Sequence, residues 1–379
     1  MIKKIALGFG LAAILAAGAG LFVYFDKLRI EGDALLTACW AVDIIDDVTG
    51  EKVVGAEDLD FDPATGTIFL SAYDRRAVDR EIEEGKVTTQ GGIYTISLSD
   101  IHQTGVLPVH DISRDFKEAG NEFRPHGFDV SRYGGENRVF VINRLYPEAL
   151  EGEMVPVIEI FQGFERQTSH STTLNMSNWL SYEGKQVCDP YDVYFSGRSL
   201  TITNYSKSCE QVDENVEFDE VHGFYFVESE DFGVKIVSGN VLPNGVTGIE
   251  DFYSAIAVTL EKEIFIEGSE NRIGLFKVID LEIAPDNLTL DGNRNLYVAG
   301  FPNLLDYYFY MSELFGVEKS PSVAYRIAPE SYEQTLLFKD DGALISGATV
   351  ALRAGDYLIM GSAWDDNIAI CSGMDALDG

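Results

Sequence analysis

Positive charge is scarce in this sequence. Its 379 residues include 28 lysines and arginines against 62 aspartates and glutamates, which gives a net charge of −34 at pH 7. A protein this acidic repels a phosphate backbone and attracts divalent cations, so nucleic acid is excluded as a predicted partner. Hydrophobic residues make up 46% of the chain, a folded globular composition that excludes intrinsic disorder.

The common catalytic motifs are also missing. The sequence has no Gly-x-Ser-x-Gly elbow, no His-Glu-x-x-His helix and no phosphate-binding loop, so the reactions that depend on these motifs are not indicated. It contains five histidines and four cysteines. The cysteines lack the Cys-x-x-Cys spacing of a zinc or redox site.

One long apolar stretch is present, at residues 5–25, with lysines before it and charged residues after it. It spans roughly 30 Å as a helix, the thickness of a bilayer core. A cleaved signal peptide and an uncleaved signal anchor both fit this pattern. We favour an anchor over residues 1–28, because cleavage would leave an apolar new terminus. Both alternatives predict that residues 29–379 are exported, to the periplasm, the extracellular space or a lumen, and the anchor predicts attachment to the membrane.

The four cysteines are Cys39, Cys188, Cys209 and Cys371. An even number in an exported protein suggests disulfides. A bridge between Cys39 and Cys371 would join the two ends of the folded region, as a closed circular fold needs. Cys188 and Cys209 are a second candidate pair, and buried free thiols are the alternative for each pair.

Beyond about residue 38 the sequence has almost no helical periodicity. Short β-branched and aromatic runs follow polar turns instead, at residues 67–70, 139–142, 200–203, 264–266, 296–298 and 357–360. Six units over residues 39–379 correspond to about 57 residues each, a length typical of four-stranded propeller blades. The sequence therefore predicts an all-β protein with a six-bladed β-propeller over residues 29–379, and a β-sandwich array is the weaker alternative.

Two segments depart from this pattern. Residues 303–315 are expected to form a short helix, and the acidic residues 79–84 are expected to form a surface loop. Neither segment marks a domain boundary.

Each unit places polar residues just ahead of its strand pair, where the inner strands of a propeller approach the central channel. These residues are Glu57, Asp58, His126, Asp192, Asn244, Asp286, Asn287 and Thr349. Carboxylate and amide oxygens that converge on one axis suit Ca²⁺ better than zinc, which prefers histidine and thiolate. The alternative is that Asp and Asn are only turn formers at the ends of blades.

At these positions the sequence resembles the paraoxonase (serum arylesterase/lactonase) family of six-bladed calcium propellers. The matching segments are Gly-Ala-Glu-Asp-Leu at 55–59, Pro-His-Gly-Phe at 125–128, Asp-Val-Tyr at 192–194, Pro-Asn-Gly at 243–245, Asp-Asn at 286–287 with Asp-Gly-Asn at 291–293, and Ser-Gly-Ala-Thr-Val at 346–350. They recur in the family's order over residues 39–372. Cys39 and Cys371 lie where the family closes its ring by a disulfide.

The resemblance implies two calcium ions. A catalytic ion at the channel floor would be held by Glu57, Asn244, Asp286 and Asn287. A structural ion would be held by Asp58, Asp192 and the backbone carbonyl of Phe128. Glu57 and Asp58 can serve different sites because neighbouring side chains of a strand point to opposite faces.

Three positions depart from the family's pattern. Tyr191 replaces an asparagine ligand, Arg144 replaces the second histidine of the proposed proton relay, and Phe301 replaces a histidine on the pocket wall. A neutral phenol is a poor calcium ligand and an arginine cannot act as a base. We therefore predict that these three residues shape the substrate pocket, and that Arg144 anchors an acidic substrate.

The resemblance implies a calcium-dependent hydrolase of lactones or aryl esters, with a small ester or lactone as substrate. Calcium would polarise the carbonyl and stabilise the oxyanion, and His126 is the best available base. One alternative is a calcium-stabilised binding or scaffold module without hydrolysis, which the changes at Tyr191 and Arg144 favour. Another is a propeller enzyme related to gluconolactonase or strictosidine synthase, for which the terminal disulfide is not expected. The sequence does not indicate an oligomeric state.

Overall fold

The computed structural model describes residues 30, 32–102, 105–133, 135–147, 154–164, 167–176, 187–197, 199–205, 218–227, 230–239, 241–250, 253–268 and 274–377. The predicted anchor over residues 1–28 lies outside them. Within these ranges, no helix combines the length and the apolar character needed to cross a bilayer. The fold is that of the compact unit Ala34–Gly379.

The described strands form six four-stranded groups in chain order. After β1 (Cys39–Asp46) and the short β2 (Lys52–Val53), blade 1 contains β3 (Ala56–Asp62), β4 (Thr67–Ala72), β5 (Gly92–Ser97) and β6 (Val106–Asp111). Blade 2 contains β7 (Pro125–Tyr133), β8 (Glu136–Leu145), β9 (Val155–Gly163) and β10 (Ser169–Asn175). Blade 3 contains β11 (Pro190–Phe195), β12 (Ser199–Tyr205), β13 (Phe218–Val227) and β14 (Glu230–Gly239), with β14 between β12 and β13.

The second half of the ring repeats this plan. Blade 4 contains β15 (Pro243–Glu250), β16 (Tyr253–Val258), β17 (Glu263–Gly268) and β18 (Gly274–Asp280). Blade 5 contains β19 (Ala284–Leu290), β20 (Leu296–Phe301), β21 (Ser322–Ile327) and β22 (Gln334–Asp340). Blade 6 contains β23 (Val350–Ala354), β24 (Tyr357–Gly361), β25 (Ile368–Ser372) and, as its outermost strand, β1 from the start of the chain.

The first strand of each blade contacts the first strand of the next, and β23 contacts β3, so that the ring closes. This is the arrangement of a propeller, and it confirms the all-β propeller prediction. β1 also pairs in parallel with β6, which joins blades 6 and 1 into one sheet. An apolar cluster spans both blades and includes Val42 and Ile44 of β1, Leu59 of β3 and Ile370 of β25.

A disulfide fastens the closure of the ring. Cys39 of β1 and Cys371 of β25 are register partners in antiparallel strands, and their Sγ atoms are bonded across 332 sequence positions. The predicted Cys39–Cys371 bridge is therefore confirmed. Cys188 is also disulfide-bonded, and Cys209, its predicted partner, lies outside the described residues.

The helices correct one prediction. Residues 79–84 belong to helix α1 (Arg75–Glu84) and not to a loop. Asp74 caps the first turn by accepting the N–H of Ala77, and Gly85 ends the helix with a positive φ of 79°, as glycine does readily. The helix is short and its outer face is polar, so the sequence lacks a clear apolar period there.

Two more α-helices occur among the described residues, α2 (Arg114–Glu118) and α3 (Leu304–Met311). Helix α3 lies within residues 303–315, which confirms the helix predicted there. Short 3₁₀ turns occur at Leu98–Asp100, Leu314–Gly316 and Asp375–Leu377.

One predicted run is a strand, as expected, but has a different place in its blade from the other five. Residues 264–266 lie in β17, the third strand of blade 4, whereas the other five predicted runs lie in second strands. The true second strand, β16, directly follows aromatic and acidic residues and has no glycine turn just before it. This explains the short interval between the fourth and fifth predicted units.

Candidate functional site

The predicted site residues lie where the innermost strands lose their regular register. The shifts fall between Ala56 and Asp58, Pro125 and Phe128, Pro190 and Val193, Pro243 and Val246, and Pro285 and Leu288. A register irregularity frees residues from regular pairing and re-aims their side chains. The residues within these irregularities include Glu57, His126, Tyr191, Asn244 and Asp286.

A proline directly precedes the site residue in four blades, a signal that we did not use in the sequence analysis. These prolines are Pro125, Pro190, Pro243 and Pro285, and the whole chain contains only 11. Proline has no N–H to pair and tolerates the first position of a strand. Its recurrence at the same position of four units marks the entry of the innermost strand into the channel.

Two glycines let neighbouring innermost strands approach closely. A Cβ atom on Gly127 would lie 2.4 Å from the carbonyl oxygen of Tyr191 and 2.5 Å from Oδ1 of Asp192. A Cβ atom on Gly245 would lie 2.5 Å from Cα of Asn287. Each glycine directly follows a predicted site residue, so a larger side chain would push apart the blades that build the site.

Replacing Gly127 by alanine should therefore lower the free energy of unfolding by about 1–3 kcal/mol, because the backbone and Asp192 must move to admit the methyl group. Urea denaturation of the full-length chain measures this change. Gly292→Ala is the matched control, since nothing lies within 4 Å of a Cβ atom there, and it should change stability by less than about 0.5 kcal/mol. Equal effects of the two substitutions would contradict the close packing of blades 2 and 3.

Glu57 is the most connected residue at the channel floor. Nδ2 of Asn287 donates to Oε1 of Glu57 at 2.8 Å and to its backbone carbonyl at 3.1 Å, and the Thr349 hydroxyl donates to the same carbonyl at 2.6 Å. Burial opposes ionisation of Glu57, but His126, Arg75 and Asn287 lower the pKa of its carboxyl to about 2. Glu57 is therefore an oriented, buried carboxylate.

His126 has neighbours that the sequence did not predict. Its Nδ1 lies 3.2 Å from Oε2 of Glu57 and 3.0 Å from Nη2 of Arg75. Arg75, at the start of α1, is buried and also donates to the carbonyls of Gly55 and Ala363. Burial, and then the charge of Arg144, lower the pKa of His126 to about 4. The expected lone histidine is thus oriented by a carboxylate and a guanidinium.

Three buried oxygens at the floor accept no hydrogen bond of regular geometry among the described residues: Oε2 of Glu57, Oδ1 of Asn244 and Oδ1 of Asn287. The charged neighbours of Oε2 of Glu57 are Nδ1 of His126 at 3.2 Å and Nη2 of Arg75 at 3.8 Å. Asp286 is also buried, and burial followed by the charge of Glu57 raises the pKa of its carboxyl well above the usual range. Buried polar atoms are normally paired. Hard oxygen atoms that lack a partner next to a destabilised carboxylate fit a bound cation such as Ca²⁺.

A second group of carboxylates lies on the other side of the innermost strands. Asp58 accepts the N–H groups of Leu59 at 2.8 Å and Phe128 at 3.1 Å, and Asp192 accepts those of Val193 and Val246, both at 2.7 Å. Burial and mutual repulsion raise the pKa of Asp58 well above its usual range, and burial does the same for Asp192. Each carboxylate oxygen retains a lone pair for a cation.

Two acids that the sequence analysis did not assign extend this group. Asp60 accepts the N–H of Val130 at 2.8 Å, and Asp129 accepts that of Phe195 at 3.3 Å. Asp60 lies on the same strand face as Asp58, and Asp129 is close enough to Asp60 and Asp192 for their charges to interact. Burial raises the pKa of both Asp60 and Asp129. Residues two apart in a strand point to the same face, so the alternating acids Asp58, Asp60 and Asp62 were the available sequence signal.

Seven of the predicted site residues line one cavity of about 530 Å³. It brings together Glu57, His126, Arg144, Tyr191, Asn244, Asp286 and Phe301. Asn287, Asp58, Asp192 and Phe128 do not line it, and Asn287 instead contacts Glu57. The size suits a small organic molecule.

The three positions that depart from the family's pattern all lie on the wall of this cavity. The ring of Tyr191 lies 5.5 Å from that of His126, and burial followed by Asp189 raises the pKa of its phenol, which stays neutral. The ring of Phe301 stacks on Tyr307 at 3.5 Å. These aromatic side chains shape the wall and offer no charged ligand.

A cluster of three or more His, Cys, Asp or Glu side chains with metal-site geometry is absent from the described part of the chain. Two of the four predicted ligands at the floor are asparagines, so this finding does not exclude a mixed carboxylate and amide site. The predicted ligand roles stay predictions.

The arylesterase family model matches residues 82–371, and no curated protein matches the sequence significantly. Solved structures of similar fold include a gluconolactonase from Xanthomonas campestris, with 11% identity over 91% of this chain and 98% of that chain and a TM-score of 0.48. Another is virginiamycin B lyase from Staphylococcus aureus, with 11% identity over 88% of this chain and 98% of that chain and a TM-score of 0.41. Likeness at this level carries no argument about chemistry. The family match covers most of the chain and confirms the resemblance seen in the sequence motifs: the chain belongs to the arylesterase (paraoxonase) family.

Proposed function

We propose that the chain is a calcium-dependent hydrolase of lactones or aryl esters that acts in the channel cavity. Family membership supports a hydrolase of the esterase or lactonase type. The observation that carries the calcium part is the set of unpartnered, buried oxygens of Glu57, Asn244 and Asn287 at the cavity floor. With Asp286 they would hold one Ca²⁺ ion. Asp58, Asp192 and the carbonyl of Phe128 would hold a second, structural one.

A bound calcium ion would supply the positive charge that polarises the substrate carbonyl and stabilises negative charge on its oxygen. His126 would accept a proton from the attacking water. Its Nε2 is buried and lacks a hydrogen-bond partner in the described part of the chain, and the lowered pKa keeps the ring neutral at pH 7. This role requires the proton to be on Nδ1, which then faces Oε2 of Glu57 at 3.2 Å and cannot also accept a hydrogen bond from Nη2 of Arg75.

The test is hydrolysis of phenyl acetate and several γ- and δ-lactones by the full-length chain, with calcium and after chelation. The proposal predicts turnover that chelation abolishes and added Ca²⁺ restores. Turnover that survives complete removal of calcium would contradict the role of the ion. Absence of turnover from protein that binds calcium and melts cooperatively would contradict the hydrolase.

That last outcome would favour the second candidate, a calcium-stabilised binding module. One observation supports it: Arg144 occupies the position of the family's second histidine, and its charge opposes protonation of His126. The third candidate, a different propeller enzyme, is disfavoured by the Cys39–Cys371 bridge.

The same proposal places the folded part on the exported side of a membrane, attached through residues 1–28. The disulfides support an oxidising compartment. Protease protection of the folded part in sealed membranes, lost on permeabilisation, tests this location.

A further inference from the structure

We propose that Arg144 binds a carboxylate on the substrate, so that the preferred substrates are esters or lactones that carry a carboxylate group. The inference rests on the proposed hydrolase function and adds its substrate class. The reaction is the hydrolysis of an ester: water adds across the acyl C–O bond, which gives a carboxylic acid and a phenol or alcohol.

The guanidinium of Arg144 is fixed in place on the cavity wall. Its Nη2 donates to Oδ1 of Asp189 at 3.2 Å and to the carbonyl of Pro190 at 3.1 Å, and its carbon atom lies 5.4 Å from the ring centre of Tyr191. A guanidinium held from two directions loses little entropy when it binds an anion.

The Nε–H of this guanidinium is still available. The Nε–H of Arg144 is buried and has no hydrogen-bond partner among the described residues, although the residue lines the cavity. An unpaired, buried donor on a charged group is costly. A ligand carboxylate would satisfy it with a charge-assisted hydrogen bond.

Arg144 is the best candidate to bind a substrate carboxylate, because the other charged side chains of the cavity have other contacts or roles. Arg75 already contacts His126 and two backbone carbonyls, and its Nη2 lies 3.8 Å from Oε2 of Glu57. Asp286 and Glu57 belong to the proposed cation site, and Asp79, the remaining acid of the lining, interacts electrostatically with Arg144. A single arginine that already pairs with Asp189 suits a monoanionic carboxylate better than a dianionic phosphate. The aromatic walls formed by Tyr146, Tyr191 and Phe301 suit a ring that carries this group.

The experiment compares two aryl esters of similar shape, 4-acetoxybenzoate and the neutral 4-acetoxybenzamide, with the full-length chain in calcium. The readout is the ratio of their kcat/KM values in the wild type and in each variant, because the difference in intrinsic reactivity cancels between proteins. Arg144→Gln removes the charge, and Arg144→Lys keeps it without the planar fork. Arg132→Gln, near the C-terminal end of β7 with a side chain 40% exposed, is the matched control for lost charge.

We expect Arg144→Gln to lower the ratio of anionic to neutral substrate by about 10- to 100-fold, chiefly through KM of the benzoate. Arg144→Lys should retain part of the preference and Arg132→Gln all of it. A ratio that stays within twofold of the wild-type value in Arg144→Gln would overturn the inference.

A binding measurement tests this inference separately from the hydrolase proposal, because it gives a result even if the protein cleaves no ester. Calorimetry with the products 4-hydroxybenzoate and 4-hydroxybenzamide should show tighter binding of the benzoate to the wild type and loss of that difference in Arg144→Gln. If the wild type shows no such difference, Arg144 is not a carboxylate site. If the difference is present without turnover, the hydrolase proposal fails and the anion site stands.

Discussion

Replacing Glu57 by glutamine should lower kcat/KM for phenyl acetate by about 10²–10³-fold or more, while the propeller still unfolds cooperatively. The substitution keeps the shape of the side chain and its contact with Asn287 but removes the buried negative charge. Without this charge the proposed ion loses its best-oriented carboxylate, and His126 loses the negative charge that lies 3.2 Å from its Nδ1. Asn244→Ala should have a similar effect on turnover, because it deletes an unpartnered oxygen of the same floor.

The matched control is Glu51→Gln, an exposed acid in the turn before β2, which should leave the kinetics within a factor of two. Steady-state kinetics and thermal melting are measured on the same samples. Glu57→Gln protein that folds and retains more than a tenth of the wild-type kcat/KM would show that the channel floor is not the reaction centre.

Removing the Cys39–Cys371 bridge should have the largest effect on stability. We expect the Cys39→Ser, Cys371→Ser double variant to lose about 2–5 kcal/mol of unfolding free energy, because the bridge closes a loop of 332 positions and so restricts the unfolded chain strongly. In the folded state the closure then depends on the pairing of β1 with β25 and β6. Urea denaturation followed by tryptophan fluorescence measures the loss.

Ser372→Ala is the control for this experiment, since it changes the next residue of β25 and leaves the bridge intact. It should shift the unfolding free energy by less than about 0.5 kcal/mol. A double variant as stable as the wild type would mean that strand pairing alone holds blades 6 and 1 together.

The ring of blades could be predicted from the sequence because strands and turns have local sequence patterns. Five of the six predicted runs are second strands of blades, and the sixth is the third strand of blade 4. The uneven spacing at blade 4 and the error at residues 79–84 have local causes as well. β16 has no glycine turn just before it, and α1 is a short helix that depends on its Asp74 cap and on Gly85. In both places the local sequence pattern typical of the element is absent, and contacts with the rest of the fold stabilise the element.

The positions of the site residues were also readable, because each unit repeats its polar residue at the same point. What the sequence could not supply were contacts between elements that are distant along the chain. Arg75 reaches His126 across 51 positions, and Asn287 reaches Glu57 across 230. Such pairs are created by closure of the ring, which no local pattern records. The prolines before His126, Tyr191, Asn244 and Asp286 were a local signal that was available.

The central claim is that a calcium ion at the channel floor is required for hydrolysis. The most direct measurement follows bound calcium per chain and phenyl acetate hydrolysis together, as Ca²⁺ is added back to chelated full-length protein. The account predicts two ions bound at saturation, with activity that rises only as the catalytic site fills, and activity in Glu57→Gln that stays about 100-fold or more below the wild type at every calcium level tested. Full activity in protein that holds no bound calcium would contradict it.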